Sequence, residues 1–577
     1  VNGNLDCREV QDQSKQPWLV ALTLTILAVG LGVRLSHSGD LPSSLAYEVE
    51  AASRMLAGQC PFSDFYFDQC VPTAVMRMPV IGLASLIAFF SGASPAIADS
   101  ILNIAALGPA SVLATSVLSV FSFWLSFTII SRFGQTVFSN HCKWIILMSM
   151  AIANMTMIFE YGSTQHIFVL LLLPYLFVRW CHWQGAQITG GFNILTAVLA
   201  AIAAALHPLF LLGVLVFELV EILQRRRFKL LCDPTLWFFI TASLFFWSYL
   251  ALLPKEAAQV LFDWILPIKF NSFTHESFSF YGTKSTPDRC SLFYYAVFAL
   301  IFAFAGLKKF ALFRPLSVFA LIGLAIWVSL VWGLSADALI LTYFTSMLLC
   351  IETYFVLLWV IKRYPRFFIF KKESALAILI VMFAFLAVTS LLRLERYQRY
   401  LAAMAPERLR PRNYKDLQDL ASAIERNSRP KDMVFLINGK MQPASPLLLE
   451  LGRRSCGYFI STEALGALAE IRRFKHNDAA HNTPPDMTKK VEKLLYQRLR
   501  KDILRQKPLL ICQEQGDTED DLRTFDIKSI FDKYYEVKSE ANFFTDHNGL
   551  RELSEYNYNY NIYKLKDEFV KKSGPLE

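Results

Sequence analysis

Charge is scarce in this sequence: 18% of its 577 residues are charged, against 54% hydrophobic, and its mean hydropathy is +0.36. A water-soluble globular protein carries about 25% charged residues, so the composition argues against that class. Nor is there a cysteine chemistry to read. The ten cysteines include no CxxC pair, which leaves zinc ribbons and thioredoxin-type redox sites without support. The N-terminal stretch "VNGNLDCREVQDQSKQP" has no cationic leader region, and no small-residue cleavage site follows "WLVALTLTILAVGLGV"; the first apolar run is expected to be an uncleaved helix. The net charge of +9 sits in short basic clusters at the ends of apolar runs, a membrane-topology pattern that argues against nucleic-acid binding.

What is present is a succession of apolar runs from Trp18 to about Leu392, many long enough to cross a hydrocarbon core of ~30 Å. The clusters "QRRRFK" (224–229), "LKKFALFR" (307–314) and "KRYPRFFIFKK" (362–372) mark cytoplasmic ends. Counting back from the first predicts passes over 207–223, 192–206, 166–180, 144–158 and 105–131, with "SRFGQTVFSNHCK" inside and "FEYGSTQH" outside. Parity then bars Pro72 to Gly92 from being a full crossing. Interrupted by Pro72, Arg77 and Pro79, it reads as a juxtamembrane helix on the outer surface. The expected fold is a polytopic α-helical membrane protein of about eleven crossings. A cytoplasmic N-terminus (1–16) precedes a transmembrane domain (17–393) with a large first external loop (35–100), and an extracytoplasmic α/β domain (394–577) follows.

That first loop holds "YEVEAASRMLAGQCPFSDFYFDQCVP" (47–72), with more acids and aromatics than a connector needs. Glu50 stands four residues before Arg54, the order of a surface ion pair. Asp40 in "SGDLPSS" suits an N-cap. Glu48 has no basic neighbour at helical spacing and is either solvated or turned toward a site. Turn capping would explain one of Asp64 and Asp68 better than both. Cys60 and Cys70 bracket the stretch, and on an oxidising side a disulfide between them is one option.

Tyr-Glu, "RMLAG", a Pro-aromatic pair, "SDFYFD" and Pro72 together resemble the first external loop of bacterial GT-C membrane glycosyltransferases, the class of protein O-mannosyltransferase and aminoarabinose transferase type proteins. "EYGSTQHIFVLLLLPYLFVRW" and "ALHPLFLLGVLVFELVEILQRRR" are similar to two further segments of one bacterial branch, and the resemblance covers about Arg34 to Arg227. It departs where many relatives carry an acid, because that position falls on Ser44; Asp40 lies one turn before and Glu48 one turn after. His207 stands where relatives have a basic residue, and a "KGWxYH" element of relatives has no clear equivalent near Gly333 to Phe344. Either the acid has moved, or the substrate has changed, or activity is lost.

The resemblance implies inverting transfer of a hexosyl or pentosyl group from a polyprenyl-phosphate donor to an envelope acceptor, on the outer face of the bacterial cytoplasmic membrane. Glu48 or Asp40 would be the base that takes the acceptor proton. Asp64, Asp68, Tyr66, His166 and His207 would contact substrate, and positive charge or a divalent cation such as Mg or Mn would stabilise the leaving phosphate. Each has a plainer reading: the aromatics as interfacial anchors, His166 as a structural histidine at the mouth of a pass, His207 as the cap of a Pro-broken helix. Beyond Arg393, helix-like runs alternate with short strands ("DMVFLIN", "PLLICQ", "YYEVKSEANFFTD", "YNIYKLK"), without nucleophile elbow, P-loop or dinucleotide fingerprint. That domain is expected to cover the acceptor site or contact a partner. The rivals are a lipid-linked sugar flippase, for which no internal repeat is found and only His207 and Glu352 stand at mid-membrane, and a catalytically inactive scaffold.

The topology is directly testable. A membrane-impermeant thiol reagent applied from outside is expected to label single-cysteine variants at Ser63 and Ser461 and to miss those at Phe228 and Phe368; labelling at Phe228 would overturn the pass assignment.

Overall fold

The computed structural model describes, in the main, residues 43–67, 69–90, 104–134, 140–156, 161–183, 190–206, 208–225, 233–266, 343–354, 418–437, 451–460, 485–515, 522–543 and 558–570. Its N-terminal helices are α1 (Ser43–Leu56), α2 (Val71–Val75), α3 (Met78–Phe90), α4 (Ile104–Phe133), α5 (Asn140–Thr156), α6 (Thr164–Trp183), α7 (Gly190–Leu206), α8 (Pro208–Arg225) and α9 (Pro234–Trp247). The passes expected over 105–131, 144–158, 166–180, 192–206 and 207–223 fall on α4 to α8 in turn. Proline places the breaks: Pro208 opens α8, and Pro234 opens α9 behind the N-cap Asp233, whose carboxylate accepts from Thr235 N–H at 2.8 Å.

By length and composition four described helical stretches can cross a membrane: Val71–Phe90, Ala106–Phe133, Thr164–His182 and Pro234–Leu252. The first qualifies only when α2 and α3 are counted as one. The helix breaks at Met76 and Arg77, and the 13 residues of α3 alone reach about 20 Å, short of the ~30 Å core. The expected passes after α9 fall largely on residues outside the described set.

The chain forms two compact units, one of residues 1–37, 111–249 and 287–396, the other of 38–110, 250–286 and 397–577. In the first, the alanine-rich α7 packs against α6 and α9, with Ala200, Ala201, Ala203, Ala204 and Ala205 all buried; small side chains let helix backbones approach closely. The same unit contains a buried charge cluster. Arg179 on α6 donates Nε to Glu218 of α8 at 2.8 Å, pairs with the same carboxylate through Nη2, and reaches Asp233 through Nη1. Tyr175 donates its hydroxyl to Glu218 at 2.9 Å, and His182 Nδ1 lies 3.1 Å from Asp233. One guanidinium thus joins three helices.

The second unit holds a five-stranded sheet, β1 (Met433–Ile437), β2 (Arg454–Ser455), β3 (Leu510–Glu514), β4 (Tyr535–Phe543) and β5 (Tyr558–Leu565), in the order β2-β1-β3-β5-β4. β2, β1 and β3 are parallel, with Val434 opposite both Ser455 and Leu510; β5 runs antiparallel to β3 and to β4. Buried alternation divides the faces. Val434, Leu436, Leu510, Cys512, Tyr560 and Ile562 pack with helix α10 (Gln418–Asn427) and with Leu447, Leu448 and Leu451 on one side. Phe435, Ile437, Ile511, Tyr563 and Leu565 pack on the other with α11 (Pro485–Gln506) and α12 (Lys528–Tyr534). This second face also takes in chain from far upstream: Phe62 and Tyr66 of the first loop, and Ala257, Leu261 and Ile265.

Removing one partner of a buried ion pair costs about 3–5 kcal/mol. Arg179→Met, which takes the guanidinium away from Glu218 and Asp233, is therefore expected to lower the thermal midpoint in detergent by several degrees or to abolish folded yield. A midpoint equal to that of the parent would show that the cluster contributes nothing.

Candidate functional site

Helix α1 lies on its neighbours along a stripe of small and apolar residues, and Leu45, Ala46, Val49, Ala51 and Ala52 are buried. Two residues in that stripe are larger. Tyr47 stacks on Phe67 with ring centroids 5.4 Å apart. Glu48, 2% exposed, meets Arg77, 1% exposed, which occupies the break between α2 and α3. Arg77 Nε donates to Glu48 Oε2 at 2.6 Å, and Nη2 stands 2.5 Å from the same oxygen. Glu48 is thus neither solvated nor isolated: its counter-charge comes from 29 residues downstream, beyond any helical spacing.

One turn on, the Glu50–Arg54 pair expected from the i, i+4 order forms at 3.1 Å. Burial raises the Glu50 pKa and the Arg54 charge opposes the rise. Arg54 does more than pair. It donates Nη1 to Gly457 O at 2.8 Å and Nη2 to Ser455 O at 3.2 Å, and lies 5.7 Å over the Phe65 ring. Gly457 accepts this approach with φ +83, a conformation open to glycine, and a Cβ there would stand 3.0 Å from Asp502 Cβ.

The aromatic stretch folds into a tight turn. Cys60 N–H donates to Asp64 Oδ2 at 2.7 Å, Asp64 N–H to Cys60 O at 2.9 Å, and Phe62 N–H to Phe65 O at 2.8 Å, with Phe62 itself at φ 70. Its rings point inward: Phe62, Phe65, Tyr66 and Phe67 are 1%, 0%, 4% and 0% exposed. Tyr66 N–H donates to Tyr458 O at 2.6 Å, and the Tyr458 hydroxyl returns a bond to Phe62 O at 2.7 Å. Asp502 anchors that loop by accepting from Tyr458 N–H at 2.8 Å; burial raises its pKa, against the pull of this bond and of Arg498.

These placements correct three readings. Tyr66 is a core residue, so its ring is in no position to stack on sugar or to anchor at a lipid interface. Asp64 is an exposed turn cap, its carboxylate engaged by Cys60 N–H. Cys60 is a free thiol, its Sγ 3.6 Å from Pro61 O, so no disulfide closes the turn at that residue. His166, in the other compact unit, is fully buried. Its Nδ1 accepts from Gly162 N–H at 3.1 Å, which leaves the proton of a neutral ring on Nε2, directed at Asn154 Oδ1 2.7 Å away. This is a histidine engaged by its own surroundings. Gly162 sits at φ +81, where a Cβ would stand 2.9 Å from Thr115 Oγ1. Asp40, Asp68 and His207 lie outside the described residues, as does the side chain of Ser44.

Arg77 was not singled out as a site residue by sequence reasoning. Its only signal is a cation in an otherwise apolar run, "TAVMRMPVIGL". Asn154, in "AIANMTM", has the same weak signature. Among the described residues, no group of three or more His, Cys, Asp or Glu side chains is placed to hold a metal ion.

No protein-family profile and no curated protein matches the chain. Among solved structures, ArnT from Cupriavidus metallidurans, crystallised with undecaprenyl phosphate, matches at a TM-score of 0.41 and 10% identity, over 95% of this chain and 98% of that one. A score and identity this low carry no functional argument, and the residues themselves must supply it.

The turn's two faces separate in a stability measurement. Tyr66→Ala removes a buried ring and is expected to cost about 3–5 kcal/mol, while Asp64→Asn at the exposed cap should stay within about 1 kcal/mol. Unfolding followed by tryptophan fluorescence in detergent reads both; equal effects would contradict the burial described.

Proposed function

We propose that this protein is a membrane glycosyltransferase that moves a sugar from a polyprenyl-phosphate donor to an envelope acceptor at the outer face of a bacterial cytoplasmic membrane, with Glu48 as general base. The observation that carries this reading is the Glu48–Arg77 pair: a carboxylate buried in the first loop and oriented through one oxygen by a guanidinium. The resemblance of the loop and of the two later segments to GT-C enzymes supplies the reaction class. In that reaction the base removes the acceptor hydroxyl proton, and the oxygen attacks the anomeric carbon. The bond to phosphate breaks, the lipid phosphate departs, and the configuration inverts. A base of this kind needs a fixed direction more than mobility, and Arg77 provides it.

A divalent cation at the leaving phosphate would act as a Lewis acid. Among the described residues no group of three or more His, Cys, Asp or Glu side chains is placed to hold it. A second reading is favoured by the 2% exposure of Glu48: the pair is a clamp that fastens α1 to the α2–α3 break, in a scaffold without activity.

Glu48→Gln cannot separate the two, because it removes the negative charge facing the buried Arg77 and lowers stability on either reading. Glu48→Asp keeps the charge and withdraws it by one methylene. In liposomes supplied with a polyprenyl-phosphate sugar, it is expected to reduce transfer about 10² to 10⁴-fold while losing less thermal stability than Glu48→Gln. Unchanged transfer in Glu48→Asp would falsify the assignment of the base.

A further inference from the structure

The C-terminal sheet has a feature that neither the first loop nor the membrane helices account for. Its parallel part is doubly wound. The connection from β1 to β2 passes through Leu447, Leu448 and Leu451 on one face, and the connection from β2 to β3 passes through α11 on the other. With β1 between β2 and β3, the chain departs from β1 to one side and returns to β3 on the other. The carboxyl ends of β1 and β3 are therefore a topological switch point by strand order, the place at which open α/β sheets bind their ligands.

The side chains at that point are unusual for a sheet core. Ile437 and Gln513 are register partners at the carboxyl ends of β1 and β3, and Asn561 of β5 is the next partner across. Gln513 is 0% exposed, yet among the described residues neither its Nε2 nor its Oε1 has a hydrogen-bond partner. A buried amide without partners is destabilising, and a leucine of similar size would avoid the penalty. Asn561, half-buried, accepts from Gln515 Nε2 at 2.7 Å, so two further amides stand at the same strand end.

We propose that the carboxyl edge of β1 and β3 is a binding site for a neutral sugar residue, with Gln513 as its central contact and the Asn561–Gln515 pair at its margin. A primary amide presents a donor and an acceptor side by side, which matches two neighbouring hydroxyls, one accepting and one donating. The four side chains are uncharged, so a phosphate or carboxylate finds no counter-charge among them. A peptide strand would dock at a sheet edge for its backbone bonds, and β3 is interior, paired on both sides. If the proposed transferase reading holds, this is where an acceptor glycan is gripped, but the site stands on the sheet and its amides and does not need that reading.

The test is made on the full chain in nanodiscs, by saturation-transfer difference NMR with chitobiose, mannobiose and galactobiose, and with inorganic phosphate (by ³¹P line width) and N-acetyl-trialanine amide as controls. At least one disaccharide is expected to give signals in the parent and in Glu48→Asp, and to lose at least 10-fold in affinity in Gln513→Leu, a variant expected to be as stable as the parent or more so. Because Glu48→Asp is included, failure of the transfer reading leaves this result untouched. Should Gln513→Leu not fold, Gln513→Glu and Asn561→Ala serve in its place, with the same loss expected. Absence of disaccharide binding, binding that Gln513→Leu leaves unchanged, or binding of the peptide or phosphate alone would overturn the proposal. So would a gain in thermal stability in Gln513→Leu with no sugar bound to the parent, which would mark Gln513 as the host of a structural water.

Discussion

The second compact unit depends on the burial of two first-loop rings, Phe62 and Tyr66, in the core of a sheet formed by residues hundreds of positions later. Each such ring buries 150–250 Å² of surface at ~25 cal/mol per Å², enough to outweigh the ordering of a short turn. The backbone follows the rings. Tyr66 pairs with the 458–459 strand segment, and the Tyr458 hydroxyl bonds back to Phe62 O. Phe62 holds a left-handed φ of 70, a strain of order 1–3 kcal/mol that persists only where surrounding contacts fix it. The loop is thus built into the α/β domain, and the direction of α1, and with it of Glu48, is set by that domain.

Arg54 shows why this joint is made with arginine. Its guanidinium serves Glu50, Gly457 O, Ser455 O and the face of Phe65 at once. A lysine ammonium has neither the planar fork nor the reach of donors to satisfy two carbonyls and a carboxylate while lying over a ring. Glu48 and Arg77, by contrast, pair in the interior. Low polarity around them strengthens their attraction and also makes either one costly without the other, so stability and any chemical role of Glu48 are linked through the same contact.

Much of the architecture was legible in the sequence because it is written in local patterns. Prolines and apolar length marked α4 to α8 within a few residues; "DMVFLIN" and "YYEVKSEANFFTD" contain β1 and β4, and "PLLICQ" and "YNIYKLK" cover most of β3 and β5. The i, i+4 spacing announced Glu50–Arg54. What was not legible depends on long-range pairing. The aromatics of "PFSDFYFD" look the same whether they face lipid, sugar or a core, because amphipathic rings suit all three, and only the partners Tyr458 and Phe459 decide. Arg77 and Glu48 are 29 positions apart and in different elements, so no periodicity connects them. The Asp64 cap is local: its partner is Cys60 N–H, and turn chemistry accounts for it.

The scarcity of charge in the chain gives this placement its meaning. Three arginines of the described residues are buried below 10% exposure, Arg77, Arg179 and Arg453, and each lies at a junction of separate segments. Arg453 donates to Ser428 Oγ at 3.0 Å and to Ser428 O at 2.7 Å, tying the start of β2 to the end of α10. Arg179 ties three helices, and Arg77 ties α1 to a helix break. A hydrophobic contact would stabilise these junctions as well, but it is non-directional. A guanidinium with partners at fixed angles admits one geometry. At Arg453 the groups held are a hydroxyl and backbone carbonyls, at Arg179 the carboxylates of Glu218 and Asp233, and at Arg77 the carboxylate of Glu48, the group proposed as the base.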